Sequence, residues 1–109
     1  MANGTLRGGL ADTINELNKL LLHTTDFAEE NKIRQLKTIY FHMLEAVIQQ
    51  TIDNNTPAFR TATAALEQAE KLAIEAQADI AKIAAAISAA ANAIKTVDKI
   101  VNVGLGLFA

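Results

Sequence analysis

The sequence predicts an all-α protein, and three observations carry that prediction. Apolar residues recur at alternating spacings of three and four from Phe59 to Val101. Alanine, the strongest helix former, supplies 21 of the 109 residues, 16 of them between Ala58 and Ala93. One clear interruption, Asp53-Asn54-Asn55-Thr56-Pro57, reads as the end of one helix and the start of the next.

The chain is short enough to be one domain, so residues 1–109 are taken as a single helical unit. Residues 1–9 contain Gly4, Gly8 and Gly9 and read as an arm. Leu10, Ile14, Leu17 and Leu21 then follow at +4, +3 and +4, the stripe of an amphipathic helix over 10–22. Asp12 or Thr13 is a candidate cap for it, with Glu16 three residues after Thr13 in capping-box spacing; a start further back, near Thr5, is the alternative. His23-Thr24-Thr25-Asp26 interrupts the stripe, because short oxygen-bearing side chains compete for backbone N–H groups. Asp26, with Glu29 and Glu30 behind it, opens a second helix over 26–53. Its apolar face (Ile33, Leu36, Tyr40, Met43 and Val47, widened by Ile39, Phe41, Leu44 and Ile48) is broad enough for two neighbours.

Thr56 and Pro57 begin the third helix, expected to run unbroken over 57–102. Its seam is Phe59, Ala62, Leu66, Ala69, Ala73, Ala76, Ile80, Ile83, Ile87, Ala90, Ile94, Val97 and Val101, thirteen apolar positions over six heptads. A straight helix of that length would measure about 65 Å. Gly104 is the natural residue to end it, with Lys95 and Lys99 at its negative end. An apolar tail, 104–109, follows.

These elements predict an antiparallel helical hairpin or three-helix bundle with a long coiled-coil-like C-terminal helix. The short loop around Asn55 makes helices two and three neighbours, with Tyr40, Phe41, Met43 and Leu44 opposite the small residues Ala62, Ala69, Ala73 and Ala76. The first helix either extends the second in line or folds back on the hairpin. In both arrangements Ile80, Ile83, Ile87, Ile94, Val97 and Val101 need a partner, since a soluble monomer does not leave such a seam bare. A second copy of the chain, most simply in a two-fold dimer, or another helical protein would supply it.

Composition narrows the function classes. The net charge of −2 lacks the basic excess of a nucleic-acid-binding surface. The absence of cysteine removes disulfide and thiol chemistry and fits a reducing compartment. No apolar stretch near the N-terminus resembles a signal peptide. The longest uncharged run, Ile83 to Ile94, falls short of the roughly twenty residues that span a bilayer. A cytoplasmic location is therefore expected.

No catalytic motif is present. His23, Asp26 and Glu30 have one-face spacing but read as a turn and an acidic helix start rather than a metal site. His42 precedes Glu45, the reverse of the Glu-x-x-His order of di-iron bundles. Gly104-x-Gly106 has no strand before it and no helix after it, so it is no dinucleotide fingerprint. Lys32, Arg34 and Lys37 adjoin Glu29 and Glu30, which offsets them as a phosphate site. No cofactor, metal or enzymatic activity is expected. The expected function is a structural or protein-interaction module working through the Ile80–Val101 seam. The alternative is a membrane-active helical protein, motivated by the uncharged run and by Leu105, Leu107 and Phe108 in the tail, which also suit a contact with a partner.

Overall fold

The computed structural model describes residues 5–49 and 56–101. Among these the chain forms four α-helices: α1 (Leu6–His23), α2 (Phe27–Gln49), α3 (Pro57–Ala78) and α4 (Ile83–Val101). A single 3-10 turn, Ile80–Lys82, joins α3 to α4. The apolar tail, with Leu105, Leu107 and Phe108, lies outside the described residues, as do residues 50–55, where the second helix is expected to end.

Helix α1 begins earlier than the start at Leu10 and includes residues assigned to the arm. Thr5 is its N-cap, its hydroxyl accepting the Gly8 N–H at 2.9 Å. Gly8 and Gly9 lie inside the helix and are buried. Glycine costs about 1 kcal/mol there relative to alanine. The burial of Leu6 and Leu10 in the core offsets that cost. Thr13, fully buried, donates to the Gly9 carbonyl at 2.8 Å and reaches the Leu66 carbonyl of α3 at 3.4 Å. It is a core contact rather than a cap.

The start of α2 is as the sequence suggests. Asp26 Oδ1 accepts the Glu29 N–H at 3.0 Å. Ile33, Leu36, Tyr40, Met43 and Val47 are buried, with Ile39. Thr56 caps α3 by accepting the Phe59 N–H at 3.1 Å, and Pro57 stands at its first position.

The largest departure is at Asp79. The single helix over 57–102 is broken there, and α4 turns back along α3. Asp79 adopts an extended conformation and serves both helices. Its N–H donates to the Glu75 carbonyl at 3.0 Å, closing α3. Its carboxylate accepts the Ala81 N–H at 3.2 Å, and its carbonyl accepts the Lys82 N–H at 3.0 Å, opening the next turn. Lys82 Nζ lies 3.5 Å from Glu75 Oε1 across the corner. The cause of the break is tertiary. A straight helix would leave half the seam bare, whereas the turn lays that half on the chain's own core. The molecule measures 39 × 29 × 18 Å, too short for a 65 Å rod. Its radius of gyration, 13.1 Å, matches the value of about 13 Å for a compact chain of this length.

The second departure is in the pairing. α3 packs on α4 and α1, α2 packs on α1 and α4, and the pairs α2/α3 and α1/α4 lie on the diagonals. The expected hairpin of helices two and three is therefore absent. Tyr40 points to α4, where its hydroxyl donates to the Ala90 carbonyl at 2.9 Å. The Thr13–Leu66 and Glu16–Gln77 contacts advance together along α1 and α3, which makes those helices parallel. The directions alternate, and the turns 24–26 and 79–82 lie at the same end of the bundle.

Candidate interaction surface

Most of the seam is already occupied. Ile83, Ile94, Val97 and Val101 are buried in the single chain, with Ala86, Ala90 and Ala93 beside them, and they pack into the core formed with α3 and α2. The partner that the sequence demanded for them is supplied by the chain itself. Ile87 is half-buried and lines a small cleft between α2 and α4 with Lys32, Gln35, Leu36 and Ala91, about 160 Å³ in volume. Ile80 alone of the six seam residues is exposed, at 46%.

Ile80 has company at that end of the bundle. Leu22, on the last turn of α1, is 85% exposed, and Phe27, the first residue of α2, is 74% exposed. Both border the 24–26 turn, as Ile80 borders Asp79. Ile74, also exposed, lies between one and two turns below the α3–α4 corner. Large apolar side chains at 74% and 85% exposure serve no packing purpose within the chain. Sequence reasoning passed over Leu22 and Phe27. Leu22 falls outside the Leu10–Leu21 stripe, and Phe27 sits opposite the Ile33–Val47 stripe of α2, so the signal was apolar residues off the periodic face. Phe41 and Ile48 form a second exposed pair on the outer side of α2.

An open depression of about 840 Å³ runs along the outer side of α3, lined by Ala64, Glu67, Gln68, Glu70, Lys71, Ile74 and Glu75. Glu70 has its carboxyl pushed above the ordinary range by partial burial, and by the negative charges of Asp12 and Glu16 on α1 and Glu67 on α3. A carboxyl raised in the folded state favours folding while it is protonated, and that contribution is lost as pH rises through its folded value. Glu70→Gln is therefore expected to make the protein more stable at neutral pH. It should also flatten the decline in urea midpoint from acid to neutral pH; an unchanged pH profile would contradict the α1–α3 charge crowding.

Among the described residues no three His, Asp or Glu side chains gather as a metal ion requires, and His23, Asp26 and Glu30 do not converge on one. The buried polar side chains, Thr13 and Thr24, bond backbone carbonyls, and Tyr40 bonds Ala90. Burial holds the Tyr40 hydroxyl protonated far above its ordinary value. No protein-family model matches the chain, and comparisons with curated proteins and with solved structures return no match.

Proposed function

We propose that this chain is a non-enzymatic helical module of the cytoplasm that self-associates, or binds a helical partner, through a surface headed by Ile80 at the start of the Ile80–Val101 seam. The observation that supports this reading is that Leu22, Phe27 and Ile80, all exposed, border the two short turns at one end of the bundle. Patches of large apolar side chains on a compact chain mark contact sites. Two-fold pairing of that end with a second copy is the simplest way to cover it. Sedimentation equilibrium tests the reading with Leu22→Asp/Phe27→Asp, both surface positions that leave the core intact. The dimer population should fall at least tenfold, since each large apolar contact at an interface centre contributes about 1–2 kcal/mol. A wild-type chain that remains monomeric at millimolar concentration would remove self-association.

The second reading, a membrane-active helical protein, has its own observation. Ile80–Val101 is the one segment among the described residues long and apolar enough to cross a bilayer, and only a third of its most apolar stretch is buried. Beyond the exposed Lys82 at its start, its exposed side, with Ala84, Ala85, Ser88 and Asn92, is uncharged as far as Lys95. Vesicle flotation separates the two readings. Co-flotation with neutral or anionic vesicles supports the membrane reading, and a chain left entirely in the dense fraction removes it.

A further inference from the structure

We infer that the α3–α4 corner is a hinge, and that the chain dimerises by straightening it and exchanging α4 with a second copy. The inference rests on the self-association reading and gives it a mechanism. In the exchanged dimer α3 and α4 form one helix from Pro57 to Val101, and α4 of each copy fills the place of α4 in the other.

Four observations lead here. The first is the phase of the seam. A chain that only ever turned at Asp79 would have no reason to keep its apolar spacing continuous across the corner. The spacing nonetheless passes through Ala73, Ala76, Ile80 and Ile83 without a slip, as a single straight helix requires.

The second is the position of Ile80. It is the seventh of the thirteen seam residues, with six on either side. Two straight helices laid antiparallel about Ile80 would match the α3 half of each seam with the α4 half of the other. The same halves already pack antiparallel within one chain. The exchange therefore reuses the contacts of the closed form and adds Ile80 to the seam, where the closed chain leaves it exposed.

The third is the composition of the corner. Ala76 to Lys82 contains neither glycine nor proline and includes three alanines, so nothing in the local sequence forbids a helix. The bend is held by Asp79 capping the Ala81 N–H and by a 3.5 Å ion pair between Lys82 and Glu75, both exposed or half-exposed. A connection this short is also the kind that exchanges between protomers.

The fourth is the end face. Straightening the hinge sets the two bundles end to end, with the 24–26 turns of both copies near the two-fold axis. Leu22 and Phe27, exposed in the single chain, then lie on the face turned toward the other copy.

Two substitutions bias the hinge in opposite directions. Ile80→Pro suits the closed form: Ile80 is the first residue after a capping aspartate, and Asp79 already has the extended conformation required before proline. Proline there breaks a straight helix. Asp79→Ala removes the cap and inserts the best helix former, favouring the open form by about fivefold per chain. Wild-type protein refolded at high concentration should yield a dimer, Asp79→Ala more of it, and Ile80→Pro a folded monomer. To read the conformation directly, the chain, which has no native cysteine, is spin-labelled as Arg60→Cys/Lys99→Cys and refolded in a large excess of unlabelled chain. In the closed form the two labels sit at one end of adjacent helices, within about 25 Å including the label arms. In the exchanged dimer they lie about 59 Å apart along one helix. A dimer fraction showing the long distance is the expected result. A dimer showing only the short distance would overturn the exchange while leaving self-association standing. A monomer at every concentration, for wild type and Asp79→Ala alike, would overturn both.

Discussion

Ile94→Ala is expected to lower the stability of the closed chain by about 3 kcal/mol, within the range of about 2–5 for emptying a core isoleucine site. Ile94 is completely buried in α4. Its removal costs the transfer free energy of three methyl or methylene groups and leaves a cavity that the flanking Ala90, Ala93 and Val97 are too small or too fixed to fill. The informative control is Ile80→Ala. The two isoleucines occupy equivalent positions on one heptad seam, so the sequence alone assigns them equal weight. Ile80 is exposed in the closed chain, and its truncation should stay within about 0.5 kcal/mol of wild type. Urea denaturation of dilute protein measures both. Equal losses at the two positions would mean that the seam is buried along its whole length, which the turn at Asp79 does not permit. A loss of about 3 kcal/mol is a large share of the roughly 5–15 kcal/mol typical of a domain.

Tyr40→Ala is expected to cost about 4 kcal/mol, in the range for removing a buried aromatic ring. Tyr40 is fully buried, and it ties α2 to α4 through its hydroxyl bond to Ala90. Tyr40→Phe separates the ring from the bond. It keeps the packing and loses only the hydroxyl contact, at about 1 kcal/mol. The Ala90 carbonyl lies within α4, where the helix offers it a backbone donor as well, so the truncation does not orphan a buried acceptor. Denaturation curves for the pair check the pairing of α2 with α4. If Tyr40→Phe cost nothing, the hydroxyl would have no partner in α4. If it cost as much as the alanine, the bond rather than the ring would be holding the two helices together.

Some of the fold was legible because the signals were local. Thr56 followed by Pro57, and Asp26 followed by two glutamates, are cap chemistry that few tertiary contexts override. Thr5 was legible only as an alternative start, because Gly8 and Gly9 weaken a helix by propensity. Their burial beside Thr13, which reaches α3, is a tertiary reason for helix that no local reading contains.

Asp79 shows where local reading stops. One aspartate among alanines is tolerated within a helix, and the residues around it carry no breaker. Whether the chain bends there depends on what the far half of the seam is buried against, and that contact is tens of residues away in sequence. The seam residues were legible as residues that need burial. That α3 and α2 of the same chain provide it was not, because a heptad pattern specifies a face and not the partner on it. The pairing of α3 with α1 rather than α2 was hidden for a similar reason: a short interruption in the sequence suggests neighbours, whereas α2 and α3 lie across the diagonal. Leu22 and Phe27 were visible in the sequence but lay off every periodic stripe, and a search for stripes discards such residues.

The central claim is that a single chain turns back at Asp79 and buries its own seam. Small-angle scattering from dilute, monomeric protein tests it most directly. A compact particle is expected, with a radius of gyration close to the 13.1 Å of the Cα trace plus its side chains and hydration, and a longest dimension not far above 39 Å. A monomer about 65 Å long, the length of an unbroken helix from Pro57 to Val101, would contradict it.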